Sequence, residues 1–332
     1  MKDKNEKINI CQVSLARDIS IVKENYFNFI KIYKNLNFFI ICQNKDYDLF
    51  QNIFSFPNCE IINEDKILSL KNFKNIFLSL SKNLSYKKDF ENRLSWYYQQ
   101  ALKISFVIDF VDRFKKKVVI WDADTIILKK IKFFNKEKSC SFGTLFEFHK
   151  PYYLTLKNIL GILPPIFISS LTQFVPISVK DIKILNIKLN NFLNKNSMST
   201  SEWISKIILR SVFDEHKIYN GSMFSEYELI GLSNIIENNN KQKAIFTLRS
   251  GLDGKLTNLQ KKICILLNTY HVTYEHSHPV AQSKGMLQRE QTYKVFFRII
   301  FKDLVKFYLR IIRYNFLYYF KILKVWRGGR VV

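Results

Sequence analysis

The stretch that decides the fold is Val118-Val-Ile-Trp121, which runs directly into Asp122-Ala-Asp124. Four apolar residues in a row, with no polar alternation, are typical of a parallel strand that is buried on both faces. Open α/β sheets bind their ligands just beyond the carboxyl ends of such strands. The sequence therefore predicts a buried strand over residues 118–121 and places Asp122 and Asp124 at the edge of a ligand site.

Around this stretch, the chain alternates between short apolar runs and segments with helical spacing. The upstream patterns predict strands at 8–13, 37–42 and 59–62, and helices over 21–36, 46–54 and 95–110. The downstream patterns predict a helix over 199–213, a loop entering a short helix over 224–231, and late strands at 244–248 and 270–274. This order indicates an α/β sheet of the nucleotide-binding kind.

The composition indicates a folded and strongly basic protein. Of the 332 residues, 47% are hydrophobic, which excludes wholesale disorder. Lys and Arg number 52 against 28 Asp and Glu, so the formal net charge is +24. An excess of this size favours an acidic partner, such as nucleic acid, a nucleotide, a phosphorylated glycan or anionic lipid.

Cysteine usage and the chain start predict a cytoplasmic protein. The five cysteines are scattered without any C-x-x-C spacing, which fits a reducing compartment. Met1–Cys11 is polar and charged, so no signal peptide is expected. The longest uncharged stretch, residues 158–179, has Pro164-Pro165 in it. We therefore expect it to be buried or to face an acceptor rather than to span a membrane.

The chemistry of Asp122-Ala-Asp124 suits a metal–diphosphate site. Two carboxylates just past a strand can hold one Mg²⁺ or Mn²⁺, which completes its coordination shell with phosphate oxygens and water. Such a cation helps a diphosphate to leave. The bare pattern is weak evidence, because it recurs at Asp46-Tyr-Asp48. We interpret that second copy as a helix start and assign donor binding to Asp122, Ala123 and Asp124.

Three ordered motifs resemble known glycosyltransferases. Val118–Leu128 looks like the Asp-x-Asp segment of metal-dependent GT-A glycosyltransferases. Trp96–Lys103 resembles the W-Y-x-Q-Q-x-L-K helix, and Ser225–Gly231 is similar to the S-E-Y-E-L-x-G segment, of a bacterial family of predicted surface-polysaccharide glycosyltransferases. Together the motifs cover roughly residues 8–280. The resemblance implies a Rossmann-like mixed sheet flanked by helices, Mn²⁺ or Mg²⁺, and a nucleotide-sugar donor, which we expect to be a UDP-sugar.

Further donor-site candidates lie near these motifs. Arg93 could clamp a diphosphate, and Gln99 or Gln100 could read a uracil or sugar edge. The alternative is a surface helix whose polar face holds them. After the first strand, Arg17 could bind a phosphate and Asp18 a ribose or base, although a plain turn explains both equally well.

Two further sets of residues are candidates for base and metal ligand. Glu226 or Glu228 could act as the general base of an inverting transferase, whereas a retaining enzyme would use them to bind the acceptor. The alternative is that Ser225-x-x-Glu228 only caps a helix. The resemblance also implies that a C-terminal His completes the metal site, for which His276 and His278 are the candidates, against a polar surface loop. It further puts Pro165–Pro176, with Phe167, Ile168 and Phe174, where acceptor-binding insertions occur.

The C-terminal part has a different character. From Gln291 to Val332, ten basic residues face one acid, Asp303, and basic residues recur every four positions from Lys294 to Arg310. We divide the chain into a catalytic domain (1–285, with a donor half of about 1–130 and an acceptor half of about 131–285) and a basic amphipathic helical tail (286–332). The tail pattern predicts a helix on an anionic membrane surface. The alternatives are packing on the domain or a coiled-coil contact.

Two functions fit the sequence. The first is a glycosyltransferase, peripheral on the inner face of the plasma membrane, that moves a sugar onto a bacterial surface glycan or lipid-linked oligosaccharide, as in lipopolysaccharide or capsule synthesis. A phosphorylated or acidic glycan acceptor would account for the positive charge. The alternative is a metal-dependent nucleic-acid-binding protein or nuclease, since charge alone fits both. No helix-turn-helix, zinc or aromatic-platform motif is visible, so a nucleic-acid partner is not expected.

Overall fold

The computed structural model describes residues 7–82, 90–145, 149–161, 168–214, 222–238, 242–248, 252, 254–274 and 290–326. The strands are β1 (Ile8–Ser14), β2 (Leu36–Cys42), β3 (Cys59–Asn63), β4 (Val118–Trp121), β5 (Thr125–Ile127), β6 (Phe134–Asn135), β7 (Lys138–Ser139), β8 (Phe142–Leu145), β9 (Ile168–Ser169), β10 (Phe174–Ile177), β11 (Lys243–Ala244) and β12 (His271–Thr273). The helices are α1 (Ile19–Ile32), α2 (Tyr47–Ile53), α3 (Leu70–Leu80), α4 (Leu94–Phe114), α5 (Lys150–Leu160), α6 (Val179–Phe192), α7 (Thr200–Asp214), α8 (Glu226–Asn238), α9 (Asn258–Leu266) and α10 (Tyr293–Trp326).

A five-stranded mixed sheet forms the centre of the molecule, in the order β10-β4-β1-β2-β3. Strands β1 to β4 run parallel to their neighbours, and β10 is antiparallel to β4. Ser14, Cys42 and Asn63 share one register, so three carboxyl ends finish level with one another. The predicted α/β class, with a mixed sheet flanked by helices, is confirmed.

Both faces of the central strands are covered, which explains the apolar runs of β2 and β4. Side chains alternate across a strand, so Cys11 and Val13 pack toward α4 while Ile10 packs toward α1. The sheet therefore has a first hydrophobic core on the side of α4 and a second on the side of α1. In β4, Ile120 packs in the first core and Trp121 in the second. Burial on both sides fixes the register of β4 and therefore the position of the residues that follow it.

The uncharged stretch is mainly core where it can be described. Phe174 is fully buried in β10 and stacks on Trp121, with the ring centroids 5.1 Å apart. Of the two expectations for this stretch, burial or an acceptor-facing position, Phe174 fits burial, because its strand completes the edge of the central sheet. Pro165 and Phe167 lie outside the described residues. In the described ranges, we find no helix that is long and apolar enough to cross a membrane.

The C-terminal helix α10 begins inside the packed body. Phe296, Ile299 and Ile300 are buried in a third core together with Ile21 from α1 and Val272 from β12. Between residues 301 and 316, most of the side chains that the structure describes are exposed or half-buried. The first turns of the predicted tail thus stabilise the domain, and only the later turns resemble a free surface helix.

Candidate functional site

A cavity of about 610 Å³ opens at the carboxyl ends of the central strands. Its wall includes the residue that immediately follows each parallel strand: Leu15 after β1, Gln43 after β2, Glu64 after β3 and Asp122 after β4. The cavity therefore lies at the edge where open α/β sheets bind ligands.

Most of the proposed donor-binding residues line this cavity. They come from three separate parts of the sequence: Arg17, Asp18, Arg93, Gln99, Asp122, Ala123 and Asp124. Asp18 is buried where α1 begins, and Arg17 is exposed beside it, with 3.9 Å between Arg17 Nε and Asp18 Oδ1. The surface thus presents two Arg side chains and several carboxylates to one space.

The backbone at the Asp-x-Asp segment is fixed from several directions. The Asp122 N–H donates to the Gln173 carbonyl at 2.9 Å, and the Asp122 carbonyl accepts from Gln12 Nε2 at 3.2 Å. The Asp124 carbonyl accepts from the Tyr274 N–H at 2.8 Å. Gln173 has a φ of 61°, in the left-handed region. These bonds hold both carboxylates in place at the end of β4.

The side chain of Asp122 belongs to a buried polar cluster. Its Oδ1 accepts from Lys103 Nζ at 2.6 Å and from the Tyr227 hydroxyl at 2.5 Å. Lys103 Nζ also donates to Glu226 Oε1 at 2.7 Å. The side chains of Lys103 and Glu226 are 3% and 5% exposed, whereas that of Asp122 is 21% exposed. One ammonium therefore joins two carboxylates that come from different walls of the cavity.

Burial and charge set the protonation of this cluster. Burial by itself lowers the pKa of Lys103, but the charges of Asp122 and Glu226 and the hydrogen bonds to them outweigh that effect and hold the pKa above its ordinary value. Burial raises the pKa of Glu226, and Lys103 opposes that shift. Burial also raises the pKa of Tyr227, so its hydroxyl remains a donor to Asp122. Glu226 is thus more ready to take up a proton than an ordinary glutamate.

Residues on one face at the start of α4 form hydrogen bonds with residues 222–226, which lead into α8. Arg93 donates to the Ser222 hydroxyl, and the Tyr97 hydroxyl accepts from the Met223 N–H at 3.2 Å. One turn further, Gln100 Oε1 accepts from the Glu226 N–H at 3.1 Å. The W-Y-Y-Q-Q and S-E-Y-E-L motifs therefore pack against each other.

This packing changes the expectation for Gln100. Its side chain is buried and binds the Glu226 backbone outside the cavity wall, rather than facing a donor base or sugar. Its neighbour Gln99 does line the cavity. The difference follows from the helical turn, which points consecutive side chains about 100° apart.

The two glutamates of the S-E-Y-E-L motif occupy different environments. Glu226 lines the cavity. Glu228 points away from it and accepts from the Ser169 and Tyr153 hydroxyls, while its N–H donates to Ser225 Oγ at 3.3 Å. Glu228 is therefore part of the helix cap and the core contact with β9, and its proposed role as a base does not fit its position.

The glycine of the same motif has a packing role. A Cβ atom built on Gly231 would lie 2.1 Å from Ser170 Oγ. Only glycine allows α8 to approach the segment after β9 this closely. Gly231 thus sets how near Glu226 and Tyr227, one helix turn earlier, can come to the sheet.

The residues at the strand end fit a divalent cation. Among the described residues, both donors to Asp122 reach Oδ1 and none reaches Oδ2, so that oxygen remains for a ligand. Asp124 lines the same cavity. Within the ranges that the structure covers, no group of three or more His, Cys, Asp and Glu side chains could hold a metal. Two carboxylates of this kind suit Mg²⁺ or Mn²⁺, which take water and phosphate oxygens as further ligands. His276 and His278 lie outside the described residues.

The cavity residues that the sequence did not identify include Lys103, Tyr227 and Glu64. The signal for Lys103 was a single charge in the apolar helix segment 101–108, and the signal for Glu64 was its place directly after a strand. Burial, with a contribution from Asp65, raises the pKa of Glu64 to about 7. The hydroxyl of Tyr227 could be found only from the fold, because its partner Asp122 lies 105 residues away.

Comparisons with known proteins show a distant similarity in fold to several solved structures. No family model matches the chain, and no curated protein matches it. The fold is distantly similar to that of mouse xyloside xylosyltransferase 1 in its apo form, at 8% identity and a TM-score of 0.43, covering 82% of this chain and 99% of that one. It is also similar to the galactosyltransferase LgtC in complex with donor and acceptor sugar analogs, at 8% identity and a TM-score of 0.40, covering 88% and 95% of the two chains. A third similar structure is the PaToxG glycosyltransferase, at 10% identity and a TM-score of 0.32, covering 72% and 81%.

Proposed function

We propose that the protein is a metal-assisted glycosyltransferase that uses a nucleotide-sugar donor. The observation that carries this proposal is the cavity at the strand ends, where Asp122, Asp124 and Glu226 line the same space as Arg17 and Arg93. Carboxylates for a cation, basic groups for a diphosphate and a buried carboxyl for proton transfer are the groups that sugar transfer requires.

The donor side of the site would bind the nucleotide diphosphate. Asp122 Oδ2 and the Asp124 carboxylate would hold Mn²⁺ or Mg²⁺, which supplies charge neutralisation to the departing diphosphate. Arg17 and Arg93 would bind phosphate oxygens, and Gln99 and Asp18 would contact the base or ribose. UDP is the nucleotide that we expect to bind most tightly.

The transfer step would use Glu226 on the opposite wall. The bond between the anomeric carbon and the diphosphate oxygen breaks, and a new bond forms from an acceptor hydroxyl oxygen to that carbon. The hydroxyl proton passes to the Glu226 carboxylate, and the nucleoside diphosphate leaves with the electron pair of the broken bond. The raised pKa of Glu226 favours this role, because a more basic carboxylate accepts a proton more readily.

The charge of the chain supports an acidic acceptor. A net charge of +24 attracts phosphorylated or acidic sugars, such as a surface glycan or a lipid-linked oligosaccharide. The late part of α10 supports attachment to a membrane surface on the cytoplasmic side. There, Phe301, Tyr308 and Ile312 are 72%, 60% and 64% exposed, and the exposed side chains of Lys302 and Lys306 flank them.

The membrane part can be tested by sedimentation with vesicles. The full chain should bind vesicles of anionic phospholipid and not those of zwitterionic lipid, and binding should weaken as salt rises because screening shortens to about 3 Å at 1 M. A chain that ends after Phe307 keeps the contact of that ring with Phe246, with centroids 5.4 Å apart, and should stay folded. It loses Tyr308 and Ile312 but keeps Phe301, Lys302 and Lys306, so its binding should become weaker. A dimer of the full chain that ignores vesicles would identify the helix as a protein interface instead.

The enzymatic part can be tested by incubating the protein with a panel of nucleotide sugars and Mn²⁺. We expect release of the nucleoside diphosphate from one donor, and its loss when the metal is chelated. Duplex DNA and RNA tested in parallel should be neither bound at moderate salt nor cleaved. Tight duplex binding without donor turnover would favour the nuclease alternative.

A further inference from the structure

The position of Lys103 is unusual for a lysine. It lies on the buried face of α4 between two buried apolar residues, Leu102 and Ile104. An ammonium group has three hydrogens to donate. One bonds Asp122 Oδ1 and one Glu226 Oε1, and the Tyr227 oxygen lies 3.4 Å from the same nitrogen. The donors of Lys103 are thus directed at protein groups, so it acts on a substrate only through them.

The two carboxylates that Lys103 joins belong to different walls of the cavity. Asp122 follows β4, and Glu226 begins α8. Both oxygens lie within 2.7 Å of one nitrogen, so without the ammonium the buried charge of Glu226 and the half-buried charge of Asp122 would face each other at close range. Like charges at such a distance repel strongly in a buried site.

We propose that Lys103 is a fixed internal cation, a positioning residue that binds Asp122 and Glu226 so that the donor and acceptor walls act as one unit. The inference rests on the proposed function, because it assigns a role within that same site. The bond from Lys103 to Asp122 Oδ1 leaves Asp122 Oδ2 for a ligand. The bond from Lys103 to Glu226 Oε1 keeps the Glu226 carboxylate at the cavity. Replacing Lys103 should therefore impair both walls at once.

The test is replacement followed by chemical rescue. Lys103→Ala should lower turnover by about 10²-fold or more and lower the melting temperature by on the order of 10 °C. Because Lys103 borders the cavity, a small primary ammonium ion can reach the vacated position. Ethylammonium should raise both turnover and melting temperature in this variant with saturation, whereas tetramethylammonium or sodium at equal ionic strength should not.

Lys206 provides the matched control. Its Nζ lies 2.6 Å from Glu202 Oε1, the same distance as Lys103 to Asp122, but the pair is on the surface with exposures of 29% and 41%. Lys206→Ala should change neither turnover nor melting temperature, and ethylammonium should have no effect on it. An equal response of both variants to ethylammonium would overturn the proposal.

A second pair of variants decides the matter where Lys103→Ala does not fold. Lys103→Met with Glu226→Gln removes one positive and one negative charge together. This double variant should melt above Lys103→Met alone and turn over no more slowly than Glu226→Gln alone. The positioning role of Lys103 would be overturned if the losses of turnover in the two single variants added up in the double variant. Near-normal turnover of Lys103→Met would overturn it as well. If the wild type releases no nucleoside diphosphate from any donor, the proposed function fails, while the melting temperatures and the ethylammonium response still test Lys103.

Discussion

The same three-residue pattern occurs in two regions of this chain, and the fold treats them differently. Asp46-Tyr-Asp48 lies where α2 begins, with Asp46 just before the helix and Asp48 exposed in its first turn. Asp122-Ala-Asp124 follows a fully buried strand and is held by bonds from Gln12, Gln173 and Tyr274. The carboxylates of Asp46 and Asp48 favour the start of a helix. Those of Asp122 and Asp124 line a cavity.

The difference shows that the chemistry of the pattern depends on what precedes it. A strand buried on both faces cannot shift its register without exposing its apolar side chains, so the residue after it has one position. A helix start on the surface places no such restriction on its neighbours. The same contrast separates Glu226 from Glu228 and the early turns of α10 from its later turns. Each contrast gives an experiment.

The largest expected effect concerns the two Asp-x-Asp copies. Asp124→Ala should abolish transfer and weaken binding of the nucleoside diphosphate in Mn²⁺, because one of the two carboxylates available to the cation is lost. The melting temperature should stay close to that of the wild type. Asp48→Ala is the control and should leave turnover unchanged. Calorimetric titration with UDP and Mn²⁺, beside a turnover assay, measures both, and near-normal turnover of Asp124→Ala would remove the metal assignment.

The next effect separates the two glutamates of one motif. Glu226→Gln should lower turnover by a factor on the order of 10² to 10⁴ with little change in donor affinity, since an amide cannot accept the acceptor proton. Glu228→Gln keeps an oxygen for Ser169 and should affect stability without changing turnover per folded molecule. Kinetics and thermal melts on both variants give the comparison. Equal losses of turnover in the two variants would contradict the assignment of Glu226, rather than Glu228, as the base.

Much of the fold and part of the site could be predicted from sequence. The apolar runs identified β2 and β4 because burial on both faces leaves a local pattern, and the strand end located Asp122. Alternation of apolar and polar residues identified β1. The bond between Lys103 and Glu226 spans 123 residues, so no local pattern reveals it. The sequence left open whether Phe174 is buried or faces an acceptor, because an uncharged, proline-containing stretch looks alike in both cases. The role of Gln100 depends on which side of α4 meets α8, which only tertiary packing determines.

A smaller effect is expected from the contrast along α10. Phe296 is fully buried in the third core, whereas Phe301 is 72% exposed five residues later. Phe296→Ala should reduce the free energy of unfolding by about 3–5 kcal/mol, through lost burial and the cavity it leaves. Phe301→Ala should change it by less than about 0.5 kcal/mol. Urea unfolding of both variants tests this, and similar midpoints would mean that the helix does not pack on the domain.

The smallest expected effect distinguishes two adjacent carboxylates at the end of β3. Glu64 is buried at the cavity wall and Asp65 is exposed. Burial, with Asp65 adding to it, raises the pKa of Glu64 from 4.5 to about 7. A folded state with the higher pKa binds more protons than the unfolded state, so Glu64 contributes stability below pH 4.5 that is lost as the pH rises to about 7. Above that pH the penalty stays constant, because both states are then ionised.

Glu64→Gln removes this penalty while keeping the size and the hydrogen-bonding oxygen of the side chain. Thermal melts of the wild type and the variant at pH 5 and pH 8 measure it. The melting temperature of the variant, relative to that of the wild type, should be higher at pH 8 than at pH 5. At pH 8 the wild type holds a buried negative charge at the cavity wall, and the variant does not. An advantage that is the same at both pH values would show that Glu64 titrates normally and is open to solvent. A larger advantage at pH 5 would reverse the sign of the argument, because it would require the folded state to favour the ionised carboxylate.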